Sequence, residues 1–164
     1  MTSKTTGEKF EAFRAAKKTY DEMVAKEGKA ALADMFLEFF EKHPSVLGVA
    51  WTQYTPYFCD GDACTFGVND ACAVLSASSE KEAEELDEED FDRSDLPKKL
   101  GKHLYTMSAS TYRSRPVKPD WLEDLAAINK QTEEFQDIML AAFGDHVSVV
   151  ASRSGFKVNE YEHD

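Results

Sequence analysis

Apolar residues recur at helical spacing from the start of the chain. Phe10, Phe13, Tyr20 and Val24 predict a first helix over roughly 7–26, and Gly28 breaks or bends it. Ala33, Phe36, Leu37 and Phe40 then fall at i, i+3, i+4 and i+7, on one face of a second helix that ends near His43-Pro44. The period changes to two in "VLGVAWTQY". There Leu47, Val49 and Trp51 alternate with Gly48, Ala50 and Thr52. Neither set is charged, which predicts a strand buried on both faces, its small residues under a helix. "CTFGV" places Cys64, Phe66 and Val68 on one side of a second strand, and Asp60-Gly61 between the two runs signals a tight hairpin. "ACAVLSA" reads as a third strand after the Asn69-Asp70 turn.

Beyond it the pattern weakens. Ser79 and Glu82 have the spacing of a capping box, so a short helix begins there or the acidic run stays a loop. One short strand is expected around Leu104–Thr111. Trp121, Leu125, Ile128, Thr132, Phe135, Met139 and Ala142 step by four and three in alternation, a coiled-coil-like seam. Asp120 can cap the start of that helix and Gly144 can close its end. "VSVVAS", Ser154-Gly155 and "FKVNEY" form a terminal hairpin. Residues 29–68 and 120–162 thus share the order helix, strand, turn, strand. Two such helix–hairpin units predict a single α+β domain over 1–164. Its sheet is mainly antiparallel, its helices pack on one face, and the hairpins 46–68 and 147–162 share that sheet.

Charge changes this picture in one place. The 164 residues carry a formal net charge of −12, unevenly spread. Residues 80–95, "EKEAEELDEEDFDRSD", hold ten acids against Lys81 and Arg93, whereas 98–118 hold six Lys and Arg and no acid. With only Leu86 and Phe91 as apolar anchors, the acidic stretch is expected to be a solvated, flexible excursion at about 78–96. Glu84, Glu85, Asp87, Glu88, Glu89 and Asp90 are its candidate contacts to a basic protein surface. The balance disfavours direct binding of nucleic acid or anionic lipid. No run approaches the ~18 apolar residues of a membrane span, and the polar start "MTSKTTGEKF" has no apolar core of a leader, so the expected location is cytoplasmic. Three cysteines in that setting, Cys59, Cys64 and Cys72, are expected to be reduced thiols.

Candidate chemistry concentrates in "WTQYTPYFCDGDACTF". Trp51 and Phe66 read as core. Gln53, Tyr54 and Tyr57 fit a recognition surface and a structural bend equally well, since amphipathic aromatics give contact area at low entropy cost. Asp60 and Asp62 flank Gly61 in a pattern that suits a turn better than a calcium loop, and the Cys59–Cys64 spacing matches no zinc motif, so no metal or cofactor is expected. In "STYRSRPVKPDW", Tyr112 stands beside Arg113 and Arg115, a set that could hold an anionic nucleotide or pair with the acidic run. The four histidines share no telling spacing, and no nucleophile motif, phosphate loop or metalloprotease motif occurs.

"WTQYTPYF-x-DGD", followed by "C-x-F-x-V" and a C-terminal "EYEHD", resembles an uncharacterised family of small proteins of bacteria and their phages. The resemblance covers residues 46–68 and 160–164, with "FFEKHPSV" as a looser match. The chain departs from the family at Cys59, where the family carries Asn. No activity comes with the resemblance. It implies that Trp51, Gln53, Tyr54, Tyr57, Asp60 and Asp62 form one unit with His163 and Asp164. With no catalytic constellation and an asymmetric charge, the expected function is that of a non-enzymatic acidic interaction protein, a phage or bacterial inhibitor or adaptor engaging a basic, nucleic-acid-binding surface. The alternatives are a nucleotide binder built on Gln53, Tyr54, Tyr57, Asp60, Asp62, Tyr112, Arg113, Arg115 and His163, and a metal-dependent enzyme. The sequence leaves the oligomeric state open.

Overall fold

The structure, a computed structural model, describes residues 5–88, 91–112 and 116–162. Helix α1 runs unbroken over Thr6–Lys42, so the two helices expected at its start are one. Thr5 opens it with a full capping box to Glu8, which satisfies two amide donors reciprocally. Gly28 does not break it. A Cβ there would lie 2.9 Å from the Ile138 side chain, so the glycine permits close approach of another helix.

The strands β1 (Gly48–Tyr54), β2 (Gly67–Val68), β3 (Cys72–Ser76), β4 (Leu104–Ser108), β5 (Val147–Ser152) and β6 (Gly155–Glu160) form one antiparallel sheet. Its order is β4-β3-β1-β5-β6, with β2 also beside β1, so the hairpins at both ends of the sequence do share a sheet. The pairs Ala50↔Cys72 and Gln53↔Val68 leave two residues on β1 opposite three on its neighbour, a one-residue bulge at 69–71. The Ala71 N–H turned aside there donates to Asn129 Oδ1 at 2.9 Å.

Helices α1, α3 (Leu122–Glu134) and α4 (Gln136–Phe143) cover one face, as the α+β reading requires. The seam expected to run straight from Trp121 to Ala142 is instead kinked at Phe135, whose φ of −112° and ψ of 47° end one helix and begin the next. Trp121 occupies the cap position in place of Asp120, whereas Gly144 closes α4 at φ 89° as expected. Between sheet and helices Phe36 stacks on Trp51 at 5.4 Å, and Phe143 meets Trp51 and Phe156 edge-on. Such pairs add about 0.5–1.5 kcal/mol beyond the area they bury.

The other face is covered too, among the described residues by 3-10 turns and loop in place of an α-helix. Phe91, Leu96 and Leu100 pack over Ala50, Val74 and Val150. That is why the small residues of β1 are apolar, and it corrects the expected overlying helix and the expected solvated excursion together. The stretch from 80 onward folds as α2 (Glu80–Leu86) and two single 3-10 turns, Arg93–Asp95 and Lys98–Leu100. Ser148 donates to the Asp95 carboxylate at 2.5 Å and Lys157 to its carbonyl at 3.0 Å, which fastens these turns to the sheet.

Candidate functional site

The sequence from Thr55 to Phe66 is not a tight hairpin. Because Tyr54 pairs with Gly67, twelve residues lie between the paired positions of β1 and β2. At its root, the Thr55 N–H and hydroxyl each donate to the Asp145 carboxylate at 2.7 Å. Burial pushes that carboxyl upward, and the Thr55 hydroxyl, the Thr55 N–H and the His146 N–H together outweigh it, leaving Asp145 below its ordinary value. Tyr57 lies flat on the His146 ring, centroids 4.7 Å apart and planes at 11°. His146 itself sits at φ 53°, an uncommon backbone for a non-glycine residue. Further along, Cys59 and Cys64 form a disulfide around Asp60, Gly61 and Asp62, with Gly61 at φ 85°. The expectation of reduced thiols fails here because the Gly61 turn brings the two Cα atoms to 5.5 Å, within bridging range. Cys72 is buried outside this bridge.

Two features of this loop bear on recognition. Tyr57 and Phe58 remain 68% and 82% exposed although the loop is anchored at root and tip. Asp60 and Asp62 are exposed beside them. Tyr54 meets Tyr161 at 5.6 Å, whereas His163 and Asp164, the tail residues expected to join the motif, lie outside the described residues. A polar cavity of about 390 Å³ opens next to Tyr161, lined among others by Thr52, Asn69, Asp70 and Cys72.

Gln53 has a different role from the one its neighbours suggested. It is fully buried. Its Oε1 accepts from Trp51 Nε1 at 3.1 Å, and its Nε2 donates to the carbonyls of Met139 and Gly144 at 3.1 and 2.6 Å. The amide thus ties the Trp51 indole to the C-terminal end of α4, where helix carbonyls lack intrahelical partners. A ligand cannot reach it, which removes Gln53 from the candidate binding residues. Tyr112, another candidate, packs edge-on against Trp121 at 5.6 Å. Its companions Arg113 and Arg115 lie outside the described residues.

The acidic run is largely engaged with its own chain. Strand β4 is the sheet edge, and its outward groups need partners. Asp87 Oδ1 accepts from the Thr106 N–H at 2.7 Å, Glu88 Oε2 from the Ser108 N–H at 2.7 Å, and Arg93 Nε donates to the Leu104 carbonyl at 3.0 Å. Glu80 binds His103 and Arg93, whose hydrogen bonds hold its carboxyl below the ordinary value. Glu82 closes back on Ser78, and Asp92 accepts from the Ser94 N–H. Burial raises the Asp87 carboxyl against its hydrogen bonds from Thr106 and the charge of Arg93. Of the six candidate contacts, Glu84 and Glu85 are exposed and Asp87 and Glu88 half-buried, whereas Glu89 and Asp90 lie outside the described residues.

Sequence reasoning missed Asp124 and Arg153. Asp124 accepts from Lys42 and from the buried His43, both at 2.6 Å, and these bonds hold its carboxyl low. Arg153 donates to the carbonyls of Phe40 and Val46, at 2.8 and 3.0 Å, and so closes the C-terminal end of α1. A cation in a hairpin turn gives no local sign of a helix end more than a hundred residues away. Among the described residues no group of three or more His, Cys, Asp and Glu is placed to hold a metal, and no helix is long and apolar enough to cross a membrane. No family model, curated protein or solved structure matches the chain.

Proposed function

We propose that this protein is a non-enzymatic interaction protein that engages a basic protein surface through the stapled loop at 55–66. The observation that carries the reading is the exposure of Tyr57 and Phe58 on a loop fixed by the Asp145 anchor and the Cys59–Cys64 bridge. Rigid aromatic anchors lose little freedom on binding, so more of their contact energy remains as affinity. Asp60 and Asp62 beside them, with a net charge of −12 on the whole chain, favour encounter with cations and repel anions. The binding role moves from the acidic run to this loop because Asp87 and Glu88 already serve the β4 edge. A disulfide persists in oxidising surroundings, which weighs against the cytoplasmic location expected from the sequence.

The test is a pull-down with wild type and with Tyr57→Ala/Phe58→Ala as bait, at low and high salt and without reductant. A partner retained by wild type, lost from the variant and weakened by salt supports the reading. Retention of the same partners by the variant, or no partner on wild type, refutes it.

A further inference from the structure

Helix α1 is longer than the domain that holds it. From Thr5 to Met23 every residue is exposed, and the first buried position is Gly28. Tyr20 bonds to Asp137 of α4, so the part without support from its own domain ends at Thr19 and is about 22 Å long. A lone helix of that length is marginal in water, and its exposed ion pairs, Lys17–Asp21 and Lys18–Glu22, are too weak to sustain it. It also carries apolar side chains that its own domain does not cover. Phe10 and Phe13 are 56% and 70% exposed.

These residues form a stripe. At 3.6 residues per turn, Phe10, Phe13, Tyr20 and Val24 fall within an arc of about 80°, and the same arc continues through Gly28, Ala31, Met35 and Glu38. The second half of the stripe lines a groove of about 540 Å³ against Phe135 and Ile138 at the α3–α4 kink. The floor of the groove is apolar, and Asp34 and Glu38 stand exposed on its rim. Charge follows the same division. Residues 8–18 hold four bases against two acids, and residues 21–38 hold five acids against two bases.

We propose that a second copy of this chain occupies the groove. The two α1 helices pair antiparallel about a two-fold axis near residues 22–23. Phe10 and Phe13 of each copy then seat against Met35, Phe135 and Ile138 of the other, and Lys9 and Arg14 lie over Asp34 and Glu38. The stripe and the charge division both demand this direction. A parallel pair would set like charges together and leave both grooves empty, whereas the two-fold fills both with one self-complementary contact.

Sedimentation equilibrium of the full chain tests it with three variants. Wild type is expected to dimerise. Phe10→Glu/Phe13→Glu is expected to weaken association by about a hundredfold or more, since the two anchors of each copy leave the groove. Its Trp51 and Trp121 fluorescence should stay native, because the substituted positions lie outside the core. Lys9→Glu/Arg14→Glu weakens the dimer, and adding Asp34→Lys/Glu38→Lys in the same chain restores it. A wild type that stays monomeric overturns the proposal, even if it captures a foreign helical peptide, for the groove would then belong to a different partner. A dimer indifferent to Phe10→Glu/Phe13→Glu, or a charge exchange without rescue, overturns it as well.

Discussion

Replacing Gln53 by Leu keeps the volume of a buried side chain and removes its three hydrogen bonds. The Trp51 indole N–H then has no acceptor at a residue only 2% exposed, which costs about 1–3 kcal/mol. The Gly144 carbonyl at the end of α4 loses the shorter of the two amide bonds, 2.6 Å, and adds about 1 kcal/mol. The Met139 carbonyl adds less, since it lies inside the helix. Leucine's own gain in transfer free energy offsets part of the sum, so a loss of roughly 2–3 kcal/mol is expected. Urea denaturation followed by fluorescence of Trp51 and Trp121 measures it, with an unchanged slope showing that the same surface unfolds. Gln53→Glu sharpens the test through pH. A carboxylate there faces two carbonyl oxygens that it cannot donate to, so its folded pKa lies above the unfolded value. Stability of that variant is then retained below the unfolded carboxyl value near 4.3 and lost as pH rises through the folded one. If Gln53→Leu falls within about 0.5 kcal/mol of wild type, or Gln53→Glu shows no such slope, the structural role assigned to this amide is wrong.

Four further outcomes are expected. Asp87→Ala/Glu88→Ala uncovers the Thr106 and Ser108 N–H groups of the β4 edge, which should lower stability by about 1–3 kcal/mol per exposed donor and promote association, both readable by urea titration and light scattering. Glu84→Gln/Glu85→Gln should leave stability within about 0.5 kcal/mol, since both side chains are exposed; a larger loss would mean that α2 braces the fold through them. Replacing both Cys59 and Cys64 by Ala should cost up to about 2 kcal/mol, the chain-entropy value for so short a closed loop, measured against wild type without reductant. Asp145→Asn should remove a pH-dependent contribution: Asp145 is held below its ordinary value, so its stabilisation is present above the unfolded carboxyl value and fades as pH falls through the folded one, and an identical acid limb in wild type and variant would contradict this.

The sequence by itself determined the class of the fold and the elements whose period is set locally. Alternation in "VLGVAWTQY" marked β1 as buried on both sides, and the period of Trp121, Leu125, Ile128 and Met139 marked the helix seam, because burial of one face imposes its period locally. Ser154-Gly155 fixed the terminal hairpin through a backbone that only a turn needs. Tertiary structure alone decided what long-range partners impose. Gly28 read as a breaker and is an approach point for Ile138, since a missing Cβ looks the same in either role. Ten acids in sixteen residues read as a solvated excursion, yet Asp87 and Glu88 find the amides of β4 some twenty residues later, and those N–H donors offset the repulsion that persists between the two carboxylates. Gln53 sat in a motif rich in recognition chemistry and became the link between Trp51 and α4. Polar side chains carry no sign of which partner they will meet, because a hydrogen bond is specified by the geometry at both of its ends and only the folded chain supplies the second.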